Sequence, residues 1–197
     1  MGRFRIDTPI MDIVTVINQI AYLSESDDLN SLSELFRLVT VEKNTTLISS
    51  GKIERHLYFV KSGSCRIYYH KQEREVILDF CFPGDALISL NSYIHKQPGY
   101  ETIQTLERCE LYQISTESLH SLYSNSIAVA NWGRKLAERE TIKIESRLMS
   151  KLFKTASESY DELLQRAPKV VQKIKLGYIA SYLGISQVTL SRIRAKA

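Results

Sequence analysis

An α+β protein in three consecutive parts is predicted by three features of the 197-residue chain. Residues 41–114 break into short β-rich runs separated by turn residues. Residues 116–165 hold one glycine, Gly133, and no proline, as long helices require. From Arg166 onward there is no Asp or Glu, while Arg166, Lys169, Lys173, Lys175, Arg192, Arg194 and Lys196 supply seven positive charges. The chain is +4 as a whole, so the remainder is net −3. The expected parts are 1–125, 126–154 and 155–197.

Taken in order, residues 1–40 read as helical. Ile10, Ile13, Val14, Ile17, Ile20 and Ala21 recur at helical spacing, and Leu32, Leu35 and Phe36 repeat the pattern after Ser24 to Asn30. Next come the β runs Thr45 to Ile48, Leu57 to Val60, Arg66 to His70 and Glu75 to Phe82. Turns are expected at Gly51, Gly63, Lys71 to Arg74, Pro83-Gly84-Asp85 and Gln97-Pro98-Gly99. Strands of this length and spacing suit an antiparallel sandwich or small barrel. Ser115 or Thr116 is placed to cap a helix. A longer helix is predicted from about Ser126 to about Phe153, with two apolar stripes. Gly133, Ala137, Thr141, Ile144, Leu148 and Leu152 form one, and Val129, Trp132 and Leu136 the other. Two buried faces need two partners, which points to the β part on one side and a second subunit on the other. A short helix, Ser157 to Gln165, precedes the basic segment.

Composition narrows the class. No apolar run approaches the roughly 20 residues that span a bilayer. Met1 to Ile10 carry Arg3, Arg5, Asp7 and Pro9 and no secretory core. The three cysteines, Cys65, Cys81 and Cys109, form no disulfide pattern or cluster, which fits a cytoplasmic location. The histidines, His56, His70, His95 and His120, lack metal-ligand spacing. No phosphate loop, nucleophile elbow or zinc-protease motif occurs, so no enzyme activity is expected. The tyrosine pair Tyr68-Tyr69 reads as alternating strand faces rather than as a stacking platform.

The segment from Leu176 to Ala195 carries the strongest motif. A helix-turn-helix needs a small residue where its helices cross, a residue that tolerates positive φ four positions later, and apolar plugs between the helices. Ala180, Gly184 and the set Ile179, Leu183, Ile185, Leu190 and Ile193 meet these needs. Ser186 is placed to cap the second helix. That helix then presents Gln187, Val188, Thr189, Ser191, Arg192 and Arg194. Gln pairs with adenine and Arg with guanine in a major groove, and Val meets a thymine methyl. Lys173, Lys175 and Arg194 would rest on phosphates. An ordinary helical hairpin with a basic face is the plain alternative.

With these residues in view, the chain resembles Crp/Fnr-type transcriptional regulators, the family of the catabolite activator protein. In the β part, Gly51, Leu57-Tyr58-Phe59-Val60, Gly63 and Phe82-Pro83-Gly84-Asp85 carry the resemblance. In the tail, Tyr178 to Ile185 and Leu190 to Arg194 resemble members common in Bacteroidetes. The resemblance implies a double-stranded β-helix (jelly-roll) sensor, a dimerisation helix and a C-terminal helix-turn-helix. It also implies a homodimer on a palindromic double-stranded DNA site, with RNA polymerase as a further candidate partner. The effector pocket falls at Gly84, Asp85, Gly99 and Tyr100. There the sequence departs from cyclic-nucleotide binders. Asp85 stands where a longer glutamate holds the ribose, and Gly99-Tyr100 stand where an arginine meets the phosphate. No arginine lies between Arg74 and Arg108, and the loop from Leu87 to Pro98 is long. His95 and Lys96 are the nearby replacements for the missing charge. A phosphate buried without a cation is costly, so cAMP is not the expected effector, whose class stays open. Val188 follows Gln187 where the best-known member has an acid, so a different DNA site is expected.

Two other readings stay open. One is a constitutive DNA-binding dimer with a degenerate sensor. The other is a small-molecule-binding module whose tail makes protein contacts, although an acid-free tail is not what a protein interface needs.

Overall fold

A computed structural model describes residues 12–23, 27–72 and 74–195. The start, Met1 to Ile10, and also Ser24 and Lys196 lie outside the described residues. Helices α1 (Ile13–Ile20) and α2 (Asp27–Glu34) come first. Then follow β1 (Arg37–Val41), β2 (Thr46–Ile48), β3 (His56–Ser62), β4 (Cys65–Lys71), β5 (Arg74–Cys81) and β6 (Ala86–Leu87). Helix α3 (Leu90–His95) separates these from β7 (Thr102–Thr105) and β8 (Cys109–Ser115). The remainder is helical: α4 (Thr116–Asn125), α5 (Ile127–Phe153), α6 (Ala156–Arg166), α7 (Pro168–Val171), α8 (Leu176–Leu183) and α9 (Gln187–Arg194).

The strands form two antiparallel sheets, ordered β1-β8-β3-β6 and β2-β7-β4-β5. Neighbours far apart in sequence, such as Val39 with Leu111 and Cys65 with Thr105, make this a jelly-roll sandwich. Alternation along β3 shows how one strand serves two cores. Tyr58 and Val60 face the space between the sheets, with Ile48, Cys65, Cys81, Ile103 and Leu111. Leu57 and Phe59 face the opposite way, onto α1, α2, α4 and the first turns of α5. There Trp132 is fully buried, its ring edge-on to Phe59, and its Nε1 donates to the Ile17 carbonyl at 3.0 Å. On the other flank, Tyr68, Ile77 and Phe80 share a third core with Tyr160, Leu163, Ile179, Ala180 and Leu190 of the tail.

The structure corrects the sequence reading in several places. The helical start ends at Glu34, because Arg37–Val41 is a strand that pairs along its length with β8. The long connection after Leu87 contains α3. Gly133 does not belong to a free stripe, because a Cβ there would fall on the Tyr123 ring of α4. The cysteines are distant in sequence but converge in the sandwich. All three thiols are free and buried, and the hydrogen bond from Cys109, then burial, pushes Cys65 up. Tyr68 and Tyr69 do alternate along β4, Tyr68 buried and Tyr69 half-buried, and the Arg66 guanidinium lies 4.1 Å from the Tyr68 ring. Helix α5 begins at its Ser126 cap, where Ser126 Oγ accepts from Val129 N, and ends at Phe153. Val129, Trp132 and Leu136 are buried, whereas Ile142, Ile144, Leu148, Met149, Leu152 and Phe153 are exposed.

Candidate nucleic-acid interface and sensor cleft

Helices α8 and α9 meet through a turn of three residues, Gly184, Ile185 and Ser186. Gly184 adopts φ 69°, its N–H donates to the Ser181 carbonyl, and the Ile185 N–H donates to the Ala180 carbonyl at 3.0 Å. This double closure ends a helix in the left-handed region, where glycine is strain-free. Ser186 Oγ then accepts from Thr189 N at 3.1 Å and opens α9. Ile179, Ala180 and Leu190 are buried between the two helices and the sandwich.

Lys175, Ser186, Gln187, Val188, Thr189, Ser191 and Arg192 are exposed. Within this set Ser186 and Thr189 are also joined to each other by the cap, Oγ to Oγ1 at 2.9 Å. Gln187 lies over Gly177, where a Cβ would come within 3.2 Å of Nε2. Lys175 Nζ stands 5.4 Å from the Tyr178 ring. Arg194, expected at a phosphate, has a partner within the chain. It is half-buried and its Nε donates to the Tyr160 hydroxyl at 2.8 Å. Among the described residues Arg192 has no ion pair.

This two-helix unit is fastened to the sandwich. Ser181 Oγ donates to the Glu75 carbonyl and accepts from Ile77 N, both on β5. The Arg66 guanidinium, almost fully buried, pairs with Glu75, bonds Gln104, and lies between the rings of Tyr68 and Tyr178. Asp79 accepts from Arg147 of α5 at 2.7 Å and from Arg166 of α6 at 3.2 Å. Burial works against the Arg166 charge, but Asp79 and Asp85 outweigh it and hold the guanidinium pKa above its ordinary range. The sequence reading missed Arg66, Asp79 and Arg147, since their partners sit on other elements.

Two of the four expected effector residues, Asp85 and Tyr100, border different clefts. Gly84 takes φ 90° in a turn whose carbonyl accepts from Arg139 at 3.0 Å. Asp85 is turned toward α5 and α6. One oxygen caps Phe82 N at 2.9 Å, the other pairs with Lys143 at 2.9 Å, and Arg166 stands 3.8 Å away. Both carboxylate oxygens of Asp85 thus already meet a donor within the chain. Tyr100 lines a different space, a cleft of about 290 Å³ between the sandwich and α5. Glu101, which the sequence reading passed over, borders the same cleft and is buried. A charged residue is rarely buried without a partner, and nothing in the local pattern flags it. His95 and Lys96 are exposed and do not line this cleft.

Residues 38–126 match the family model of the cyclic nucleotide-binding domain. Solved structures with the same fold include FixK2 from Bradyrhizobium japonicum, 19% identical over 82% of this chain and 83% of that one, TM-score 0.69. A transcriptional regulator described as of the Crp/Fnr family, from Eubacterium rectale, is 21% identical over 85% and 81%, TM-score 0.67. The c-di-GMP responsive global regulator CLP of Xanthomonas campestris is 17% identical over 86% and 89%, TM-score 0.66. No curated protein matches the chain by sequence. Among the described residues no helix is long and apolar enough to cross a membrane.

Proposed function

We propose that this chain, with a cyclic nucleotide-binding domain over residues 38–126 in the fold of the Crp/Fnr regulators, is a sequence-specific DNA-binding transcriptional regulator. The observation that carries the reading is α9. It exposes Gln187, Val188, Ser191 and Arg192 side by side on a stretch without a single acid. Helices α8 and α9 form the helix-turn-helix, α9 reads the major groove, and Lys173 and Lys175 rest on phosphates. The exposed apolar residues Ile142, Ile144, Leu148, Met149, Leu152 and Phe153 are the face on which a second copy docks. A homodimer places two copies of α9 on a palindromic site.

The sensor does not hold cAMP in the manner of the cyclic-nucleotide binders. Asp85 is engaged by Lys143, and Gly99 and Tyr100 offer no cation. Calorimetric titration is expected to show no cAMP binding, and a low-micromolar affinity would overturn this part.

Selection of duplexes from a random pool, followed by fluorescence anisotropy, tests the main reading. Affinity for the selected duplex is expected to fall linearly on a logarithmic salt scale. Arg192→Ala is expected to cost about 1–3 kcal/mol on the selected site and to relax one base position. Equal affinity for selected and random duplexes would sink sequence-specific binding.

A further inference from the structure

We propose that the cleft between the sandwich and α5 takes a small ligand with an ammonium group and an apolar body, anchored on the Glu101 carboxylate. The proposal deepens the regulator reading and rests on it for the consequence of binding, not for binding itself.

The cleft holds about 290 Å³, at the small end of ligand sites. Its walls are apolar: Ile67, Leu78 and Ile88 from the sandwich side, Ile144 and Leu148 from α5. Two carboxylates border it. Glu140 is paired with Lys143 at 3.0 Å. Glu101 is only 8% exposed, and its Oε1 has no hydrogen-bond partner among the described residues. A carboxylate oxygen removed from water without a partner is costly, and a charge-assisted N–H donor is its natural complement.

The surroundings are arranged around this carboxylate without neutralising it. A Cβ at residue 99 would meet Glu101 Oε1 at 2.6 Å, so Gly99 is what lets the carboxyl lie there. The Ser89 hydroxyl, which the same Cβ would also meet, directs its proton elsewhere. Ser89 Oγ donates to Ser92 Oγ at 3.1 Å, and Ser92 Oγ to the Gln97 carbonyl at 3.0 Å. Asn91 Nδ2 is bound to the Pro98 carbonyl. Arg147 borders the cleft but is committed to Asp79. Lys151 also borders it from an exposed position on α5, where water screens its charge. An anionic ligand would set its charge against Glu101; an ammonium would satisfy it. A ligand seated there touches both the sandwich and α5.

The test uses the full chain, with thermal melting and calorimetry against hexylamine and phenethylamine. The matched acids hexanoate and phenylacetate serve as counterparts, with cAMP as a third arm. The amines are expected to bind and raise the melting temperature, and the acids and cAMP to leave it unchanged. Glu101→Gln keeps the shape and is expected to lose amine affinity at least tenfold. Leu78→Trp fills the apolar side and is expected to abolish binding. No amine binding at millimolar concentration, equal binding of amine and acid, or full affinity in a folded Glu101→Gln variant would each overturn the proposal. Should that variant fail to fold, the selectivity of the unaltered chain decides. The same samples are assayed on the selected duplex. Intact DNA binding without amine binding defeats only the ligand class, and amine binding without DNA binding defeats only the regulator reading.

Discussion

The two flanks of the sandwich are held by different chemistry. On the flank of α1, α2 and the start of α5, the contact is a dry apolar core around Trp132, Ile17, Leu57 and Phe59. On the flank of α6 to α9 the apolar core is ringed by charge: Asp79 between two arginines, Arg66 between two tyrosines, Ser181 on the backbone of β5. Apolar burial carries no titrating group, whereas partly exposed ion pairs respond to pH and are screened by salt. Helix α5 belongs to both flanks, since its early turns carry Trp132 and its later turns carry Arg147.

The largest effect is expected where the contrast is strongest. Trp132→Ala removes the central side chain of the dry flank and should cost about 3–5 kcal/mol in chemical denaturation, without separating the tail from the sandwich. A loss below about 1 kcal/mol would mean that this core is not what joins α5 to the barrel. Asp79→Ala leaves Arg147 and Arg166 without their shared acid. Both arginines are partly exposed, so the cost should be smaller, about 1–2 kcal/mol, and confined to the tail. Limited proteolysis near Lys154 and Thr155 should quicken while the near-ultraviolet signal of Trp132 stays unchanged.

The smallest effect concerns pH. The Arg66 hydrogen bond holds Glu75 below its ordinary value of 4.5. A depressed carboxylate stabilises the fold above the unfolded value and loses that contribution as pH falls through the folded one. The Arg66–Glu75 pair, and through it the seating of Arg66 against Tyr178 of the tail, should therefore weaken below about pH 4.5, modestly, since the Glu75 side chain is 35% exposed. Glu75→Gln should flatten this acid limb in a pH series of tail proteolysis. An unchanged limb would assign the effect to other groups.

Much of the frame was legible along the chain because its signals are local. Ser126 caps α5, Gly184 supplies the left-handed turn, and Ser186 caps α9, each within four residues of what it binds. β1 was not legible, because Leu35 and Phe36 continue a helical spacing right up to Arg37, and only pairing with β8 resolves the conflict. The sensor site was legible in part. The lack of an arginine near Gly99 can be read directly, but the engagement of Asp85 by Lys143 and Arg166 joins residues 58 and 81 positions apart. Glu101 gave no sign of burial at all. Its setting is made by Gly99 and by the hydroxyl of Ser89, the residue before α3.

Ser181 has a consequence for how the protein is made. β5 is the edge strand of its sheet, and the Ser181 hydroxyl occupies backbone groups that another strand would seek. On the ribosome, β5 emerges about a hundred residues before this serine. During that interval the edge is open to pairing with another strand. The tail thus covers this rim, and a fragment cut before α8 is expected to leave it bare.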